Sequence, residues 1–491
     1  MARFPLPPLP SRLIDIEVGY TERRGAPTVV LVASDGAQVG GVRHPGRTGD
    51  VRPVADGGVR WLVGVGDGAA KDWRAAGAAL VRAIEAAGES GEPVKTVQVD
   101  LGAEATGEHV AELAAGALLG GYRFKVSADS PRGSLQTLRL VTPYERAVPA
   151  YQDLLSRVRE LASAAALARD LANTPSNVKN PAWLADTAVR VTDGLAGVRA
   201  TVRDETWLAE QGFGGMLAVG GGSASPPRLI ELTYRPRNAA KHVLLVGKGI
   251  TFDTGGLSIK PAAGMHLMRT DMAGGAAVIG AIRAIAARRL GVRVTALVPA
   301  AENHVSGSAY RPGDVVRHYG GITTEVANTD AEGRMVLADA LVYGVRRFRP
   351  DVVVDAATLT GAMKVALGTR TGGLFATDDD LAERVLAAGE RVGEAWWRMP
   401  LLDDHAHAVR GDLADVKQAP DGPGGITAAL FLREFVDGMP WAHLDIAGPA
   451  RAESAYADVV PGATGFAART LVELAASYAS ASTSASTSVN T

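Results

Sequence analysis

Two short glycine-rich segments, GKGITFDTGGLSIKPAAGMHLMRTDMAGG from Gly247 and ANTDAEGRMVLADAL from Ala327, carry Lys248, Asp253, Lys260, Asp271, Asp330, Glu332 and Arg334. Folded proteins rarely gather so much charge in small-residue loops unless a metal ion or a substrate compensates it. Three Asp and one Glu can hold two divalent cations close together. Two Lys and an Arg beside them would serve as neutral ligand, electrophile or anion anchor. Asp271 lies 18 residues beyond Asp253, too far for one helix face, so the fold itself must bring them together.

With 491 residues the chain exceeds what one core supports, and two domains are expected. A net charge of −2 gives no electrostatic reason to expect nucleic acid or an anionic membrane as the main partner. Cysteine is absent, which excludes disulfides, thiol nucleophiles and thiolate zinc sites. Prolines fill the start, MARFPLPPLPSRLIDIEV, where a signal peptide would need an apolar core. No run approaches the roughly 20 apolar residues of a membrane span, so a cytoplasmic, soluble protein is expected.

The first third alternates strand-like runs (Thr28–Ala33, Trp61–Val65, Val94–Leu101, Leu135–Val141) with helical spacing over Trp73–Ala87 and Glu108–Leu119. This alternation implies an α/β layer structure. An Ala/Leu-rich helix is expected over Tyr151–Leu171, broken by ANTPSNVKNPAWLA. The resulting division is an N-terminal α/β domain over 1–150, a linking helix over 151–175, a catalytic domain over 176–478, and a disordered Ser/Thr/Ala tail over 479–491.

In the second domain, strands are expected at His242–Val246, Val292–Val298 and Asp351–Ala356, and helices at Ala273–Arg288 and Arg334–Phe348. AENHVSGSAYRPGD is read as a long loop. The charged residues then fall at or beyond C-terminal strand ends, where open α/β sheets gather ligand sites.

Asp253 sits in an FDTGG turn, where Gly255 and Gly256 permit close backbone approach or positive φ. Oxygen-rich ligation without Cys or an obviously placed His suits Mn²⁺ or Mg²⁺ by hardness, with Zn²⁺ and Co²⁺ also open. Four carboxylates with few ligands to share point to a bridged pair of ions. Lys248 could be a ligand only as the neutral amine, whereas Lys260 would stay charged and oppose negative charge developing on a substrate oxygen. Plainer roles compete: a lone DxE before a helix is usually a helix-terminus effect, and GKG lacks the spacing of a phosphate loop. Asp339 reads as structural, the His405/His407 pair as a solvated face, and His266 and His304 as loop residues.

The segments VGKGITFDTGGLSIKPAAGMHLMRTDMAGGAA and NTDAEGRMVLADAL resemble the leucyl aminopeptidases of the M17 metallopeptidase family. RDLANTPSNVKNP, AENHVSGSAYRPGD, DAATLTGAM, GGITAALFLREFV and GATGF extend the likeness over Arg169–Phe466. The resemblance implies a small macro-like N-terminal α/β domain and a larger α/β/α dimetal peptidase domain with a mixed central sheet. It implies that Asp253 and Glu332 bridge two ions (Mn²⁺ or Zn²⁺, or else Mg²⁺ or Co²⁺). Lys248 and Asp271 would complete the tighter ion, and Asp330 the more exchangeable one. Lys260 would bind the scissile carbonyl oxygen, and Arg334 a bicarbonate-type general base. Met268, Thr358, Leu359 and Gly361 would bind substrate, favouring an apolar, Leu-like first residue. Short peptides with a free amino terminus and a homohexamer are the implied partners. His266 and His304 depart from the residues common at those positions in relatives.

Two other classes compete. A DNA-binding accessory role on the same fold sits poorly with the near-neutral charge, so nucleic acid is not the expected partner. A dimetal phosphoesterase would need an Arg cluster, and only Arg334 is evident.

Overall fold

Short β-branched runs in the first third of the chain assemble into a six-stranded sheet, with Ala-rich helices in the connections between them. The computed structural model describes residues 6–56, 58–90, 93–127 and 133–479. Beyond Ala479, the tail expected to be disordered lies outside the described residues. The sheet order is Asp15–Gly19, Thr137–Val141, Thr96–Asp100, Thr28–Ala33, Val59–Gly66, Val51–Asp56. All neighbours are parallel except Val51–Asp56, which runs antiparallel to Val59–Gly66. The chain up to Asp170, together with Ala452–Thr464, forms one compact unit; Leu171–Arg451 and the residues from Gly465 form another.

The long helix spans Val148–Asn173. Helix Pro181–Thr192 follows it, capped by the Asn180 side chain, which accepts from the Trp183 N–H at 2.9 Å. Proline at the first helical position costs no hydrogen bond, so this Pro-rich junction starts a helix rather than preventing one.

The second unit is built on a nine-stranded mixed sheet. Its inner strands, Arg293–Asn303, His242–Gly247, Val352–Ala357 and Trp441–Asp445, are mutually parallel. Thr371–Ala376 is antiparallel on one side and Arg228–Tyr234 on the other. Helices cover both faces. Successive strand residues point to opposite faces: Leu297 meets helix Glu332–Phe348 at Gly344, and Val298 meets helix Ala273–Ala287 at Gly275. The α/β/α architecture follows from that alternation.

One boundary moved substantially. The strand expected to stop at Val298 runs on through Pro299 to Asn303, taking in the start of the segment read as a loop. Strand Gly249–Asp253 pairs alongside this extension and supplies the ladder that keeps it extended. Met265–Ala287, 23 residues, is apolar and long enough by composition to cross a membrane, a run the sequence reading did not anticipate. In its most apolar 18-residue window 89% of the residues are buried within the fold, as the core position of helix Ala273–Ala287 requires.

Candidate metal centre

Parallel strands deliver their C-terminal ends to one edge of the sheet, and the charged residues collect there. Lys248 follows strand His242–Gly247, Asp253 ends strand Gly249–Asp253, and Asn303 ends strand Arg293–Asn303. Thr358 follows Val352–Ala357, and Asp445 closes Trp441–Asp445. Asp271 arrives on the turn after Met265–Thr270, and Glu332 opens helix Glu332–Phe348.

The carboxyl groups converge. Asp253, Asp330 and Glu332 each offer an oxygen within 4.8 Å of the others'. Lys248 Nζ lies 2.9 Å from Asp271 Oδ2, 2.8 Å from Glu332 Oε1 and 3.0 Å from the Thr358 carbonyl oxygen. Asp271 thereby joins the same cluster through Lys248. Lys260 Nζ lies 2.7 Å from Asp253 Oδ2 and also pairs with Asp330.

The FDTGG turn does what its glycines permit. Gly255 has φ +87 and Gly256 φ +64. A Cβ at Gly255 would stand 3.0 Å from Asp330 Oδ1, and one at Gly256 2.9 Å from Asn303 Oδ1. The Gly255 N–H donates to Asp253 Oδ1 at 2.8 Å, and Asn303 Nδ2 donates to the same oxygen at 2.8 Å.

Burial and mutual repulsion strain the carboxyl groups. Burial, reinforced by the Asp253 charge, pushes Glu332 up to about 8. Burial pushes Asp271 up to about 6 although Lys248 opposes it. Asp330 is raised by burial and by Asp253. Burial disfavours charge on Lys248, yet Asp271, Glu332 and Asp253 outweigh it and hold the amine above its ordinary range. Glu332 Oε2 is buried and finds no hydrogen-bond partner among the described residues. An acceptor-only set with an unsatisfied oxygen fits a hard divalent cation, whose charge would reverse each of these upward shifts.

The remaining expected residues fall around this cluster. Arg334, in the first turn of its helix, donates from Nη1 to the Gln418 carbonyl at 2.5 Å. Burial lowers it to about 10, and its Nε finds no partner among the described residues. Thr358 Oγ1 donates to Asp271 Oδ1 at 2.7 Å, so this residue orients a carboxylate. The Leu359 N–H points at Asp445 Oδ1, 3.4 Å away, so it is already engaged within the fold. Gly361 opens the short helix Gly361–Leu367, and a Cβ there would meet nothing within 4 Å. Met268 is half-buried on the Met265–Thr270 turn.

Several residues escaped the sequence reading. Asn303 bridges Asp253 to the Thr329 carbonyl. Asp445 accepts from Thr360 N and Oγ1, fixing the Thr358–Thr360 loop. Lys179 is fully buried and donates to the carbonyls of Leu171, Ala172 and Arg269 at 2.9, 3.2 and 2.5 Å. It pins the turn that bears Met268. Asp339 is structural, as read: it accepts from Met216 N and Tyr319 N and pairs with His318. His266 and His304 are exposed, and no described His joins the acidic cluster.

Residues 166–472 match the model of the cytosol aminopeptidase family, catalytic domain. The chain belongs to the cytosol aminopeptidase family. Membership makes it a metal-dependent aminopeptidase, as the motifs around Asp253 and Glu332 led one to expect. Among its relatives is a "Probable cytosol aminopeptidase" of Geobacter sulfurreducens, 43% identical over 420 residues and 84% of each chain. Another, of Solibacter usitatus and bearing the same name, is 45% identical over 423 residues, 84% of this chain and 85% of the relative. Among solved structures, the bottromycin maturation enzyme BotP in complex with Mn superposes with a TM-score of 0.82 at 42% identity. That match covers 92% of this chain and 99% of the other.

Proposed function

We propose that this cytosol aminopeptidase family member uses two divalent ions to release apolar, Leu-like residues from the free amino terminus of short peptides. The observation that carries the reading is the Glu332 carboxyl group: one of its oxygens lies within 4.8 Å of oxygens of Asp253 and Asp330, and its buried Oε2 finds no hydrogen-bond partner among the described residues. Asp253 and Glu332 would be shared by both ions. Lys248 and Asp271 would complete one site, and Asp330, with its carbonyl, the other. When bound, the ions supply Lewis acidity and activate water for attack on the amide. Mn²⁺ is favoured by the oxygen-rich donors and by the Mn complex of the similar enzyme.

The chain's own groups do the rest. Lys248 would enter as a neutral amine, so ion uptake would release its proton. Lys260 is disfavoured by burial, but Asp253 and Glu332 hold its ammonium above the ordinary range. It therefore stays charged at neutral pH and can oppose charge developing on the scissile carbonyl oxygen. Arg334, whose buried Nε has no partner among the described residues, is suited to hold a bicarbonate-type anion acting as general base. The peptide amino terminus would sit against Asp271, and the open space at Gly361, with Met268 and Thr358, would take the first side chain. A cytosolic homohexamer is the assembly proposed.

Turnover of unblocked aminoacyl-anilides, before and after chelation and with each metal restored, tests this. Activity should vanish on chelation, return with Mn²⁺, favour Leu over Ala, and be absent for N-acetyl-Leu-anilide. Rapid cleavage of the acetylated substrate would defeat the reading.

A further inference from the structure

Gln418 lies in the loop after strand Val416–Lys417 and is fully buried. Every polar group it has is spent on one short segment. Its N–H donates to the Glu325 carbonyl at 3.0 Å. Its Oε1 accepts from Asn328 N–H at 3.1 Å, and its Nε2 donates to the Ala331 carbonyl at 3.0 Å. Its own carbonyl accepts from Arg334 Nη1 at 2.5 Å.

The side-chain amide therefore spans the Asn328–Ala331 turn from one end to the other. Inside that turn the Asn328 side chain accepts from the Asp330 N–H at 2.8 Å, and the Ala331 N–H returns to the Asn328 carbonyl at 3.1 Å. Asp330 sits at the apex, more exposed than its neighbours in the cluster. A neutral amide accepts at one end and donates at the other without taking up a proton. A carboxylate of the same shape would set an oxygen against the Ala331 carbonyl.

We infer that Gln418 is a positioning residue: its amide clamps the Asn328–Ala331 turn so that Asp330 meets the second ion, while its backbone carbonyl aims Arg334. The inference rests on the two-ion reading above. Outer partners of ligands typically govern affinity by 10–100-fold.

The test uses full-length protein stripped by chelation and titrated with Mn²⁺, counting free ion by electron paramagnetic resonance, with melting followed in parallel. Wild-type uptake of two ions per chain tests the two-ion reading itself; fewer than two would end that reading and this inference with it. Given two, Gln418→Glu and Gln418→Met should keep the tighter ion and weaken the second by about 10–100-fold. kcat should fall at saturating substrate and be partly restored by excess Mn²⁺, with KM changed less than threefold. Gln418→Asn, a shorter amide, should fall between wild type and Gln418→Met. Second-ion affinity unchanged from wild type in all variants, or parallel loss of both ions, would overturn the inference. A variant that fails to fold is replaced by Gln418→Asn, whose second-ion affinity then decides.

Discussion

Gly333→Ala sets helix propensity against the site. Gly333 lies in the first turn of helix Glu332–Phe348, where alanine would ordinarily stabilise by about 1 kcal/mol. Here its Cβ would stand 2.6 Å from Lys248 Cε and 2.8 Å from Nζ, well inside ordinary contact. The lysine stem must retreat by roughly 1 Å, an amount at which catalytic groups can lose on the order of 100-fold in rate. Its Nζ now lies 2.8 Å from Glu332 Oε1 and 2.9 Å from Asp271 Oδ2, and such a retreat carries those contacts beyond hydrogen-bond range. Opening a buried ion pair costs about 3–5 kcal/mol. The net expectation is a loss of about 2–4 kcal/mol in denaturant melts of the metal-free protein, with Leu-anilide turnover down about 100-fold. A variant as stable as wild type, or more so, with unchanged turnover would show that Lys248 is not held where these contacts place it.

Lys260→Ala should lower kcat by at least 100-fold while ion content per chain stays unchanged; loss of an ion by elemental analysis would mean the lysine was misassigned. In metal-free protein the stability contributed by Glu332 and Asp271 should fall as pH rises, read as the difference in melting temperature between wild type and Glu332→Gln. Glu332 and Asp271 bind protons more tightly when folded, so their contribution is full below the ordinary carboxyl range and is lost as pH climbs to about 8. Lys248 and Lys260, also raised but from the far higher ordinary value of a lysine, change nothing across that window in the metal-free protein. Mn²⁺-loaded protein should instead gain stability over the same range, because ion uptake releases the Lys248 proton, and a wild-type-minus-variant difference that stays flat in the stripped protein would contradict the burial argument. Lys179→Met should loosen the Met265–Thr270 turn and reduce the Leu-to-Ala preference severalfold. An unchanged ratio would separate that turn from specificity.

The chemistry of the site was legible because residue types announce it: carboxylates and lysines among glycines have few other uses. The FDTGG turn was readable for the same reason, since positive φ at Gly255 and Gly256 needs glycine. The Ala/Gly helix was equally plain, its small residues permitting the close approach of Gly275 to the sheet at Val298. Pairing was not legible. Whether the chain stays extended past Pro299 depends on strand Gly249–Asp253 alongside it, about 50 residues away. Gln418 and Asp445 act by hydrogen-bonding loops remote in sequence, and nothing in their local pattern distinguishes them from solvated residues. Nor does any composition change mark the return of Ala452–Thr464 to the first unit.

The central claim is that four carboxyl groups surround two ions. Anomalous diffraction from crystals of the Mn²⁺-loaded protein measures this directly. Two peaks about 3.5–4 Å apart are expected, both within coordination distance of Asp253 and Glu332, one also near Asp271 and the other near Asp330. A single peak, or density away from these four side chains, would contradict it.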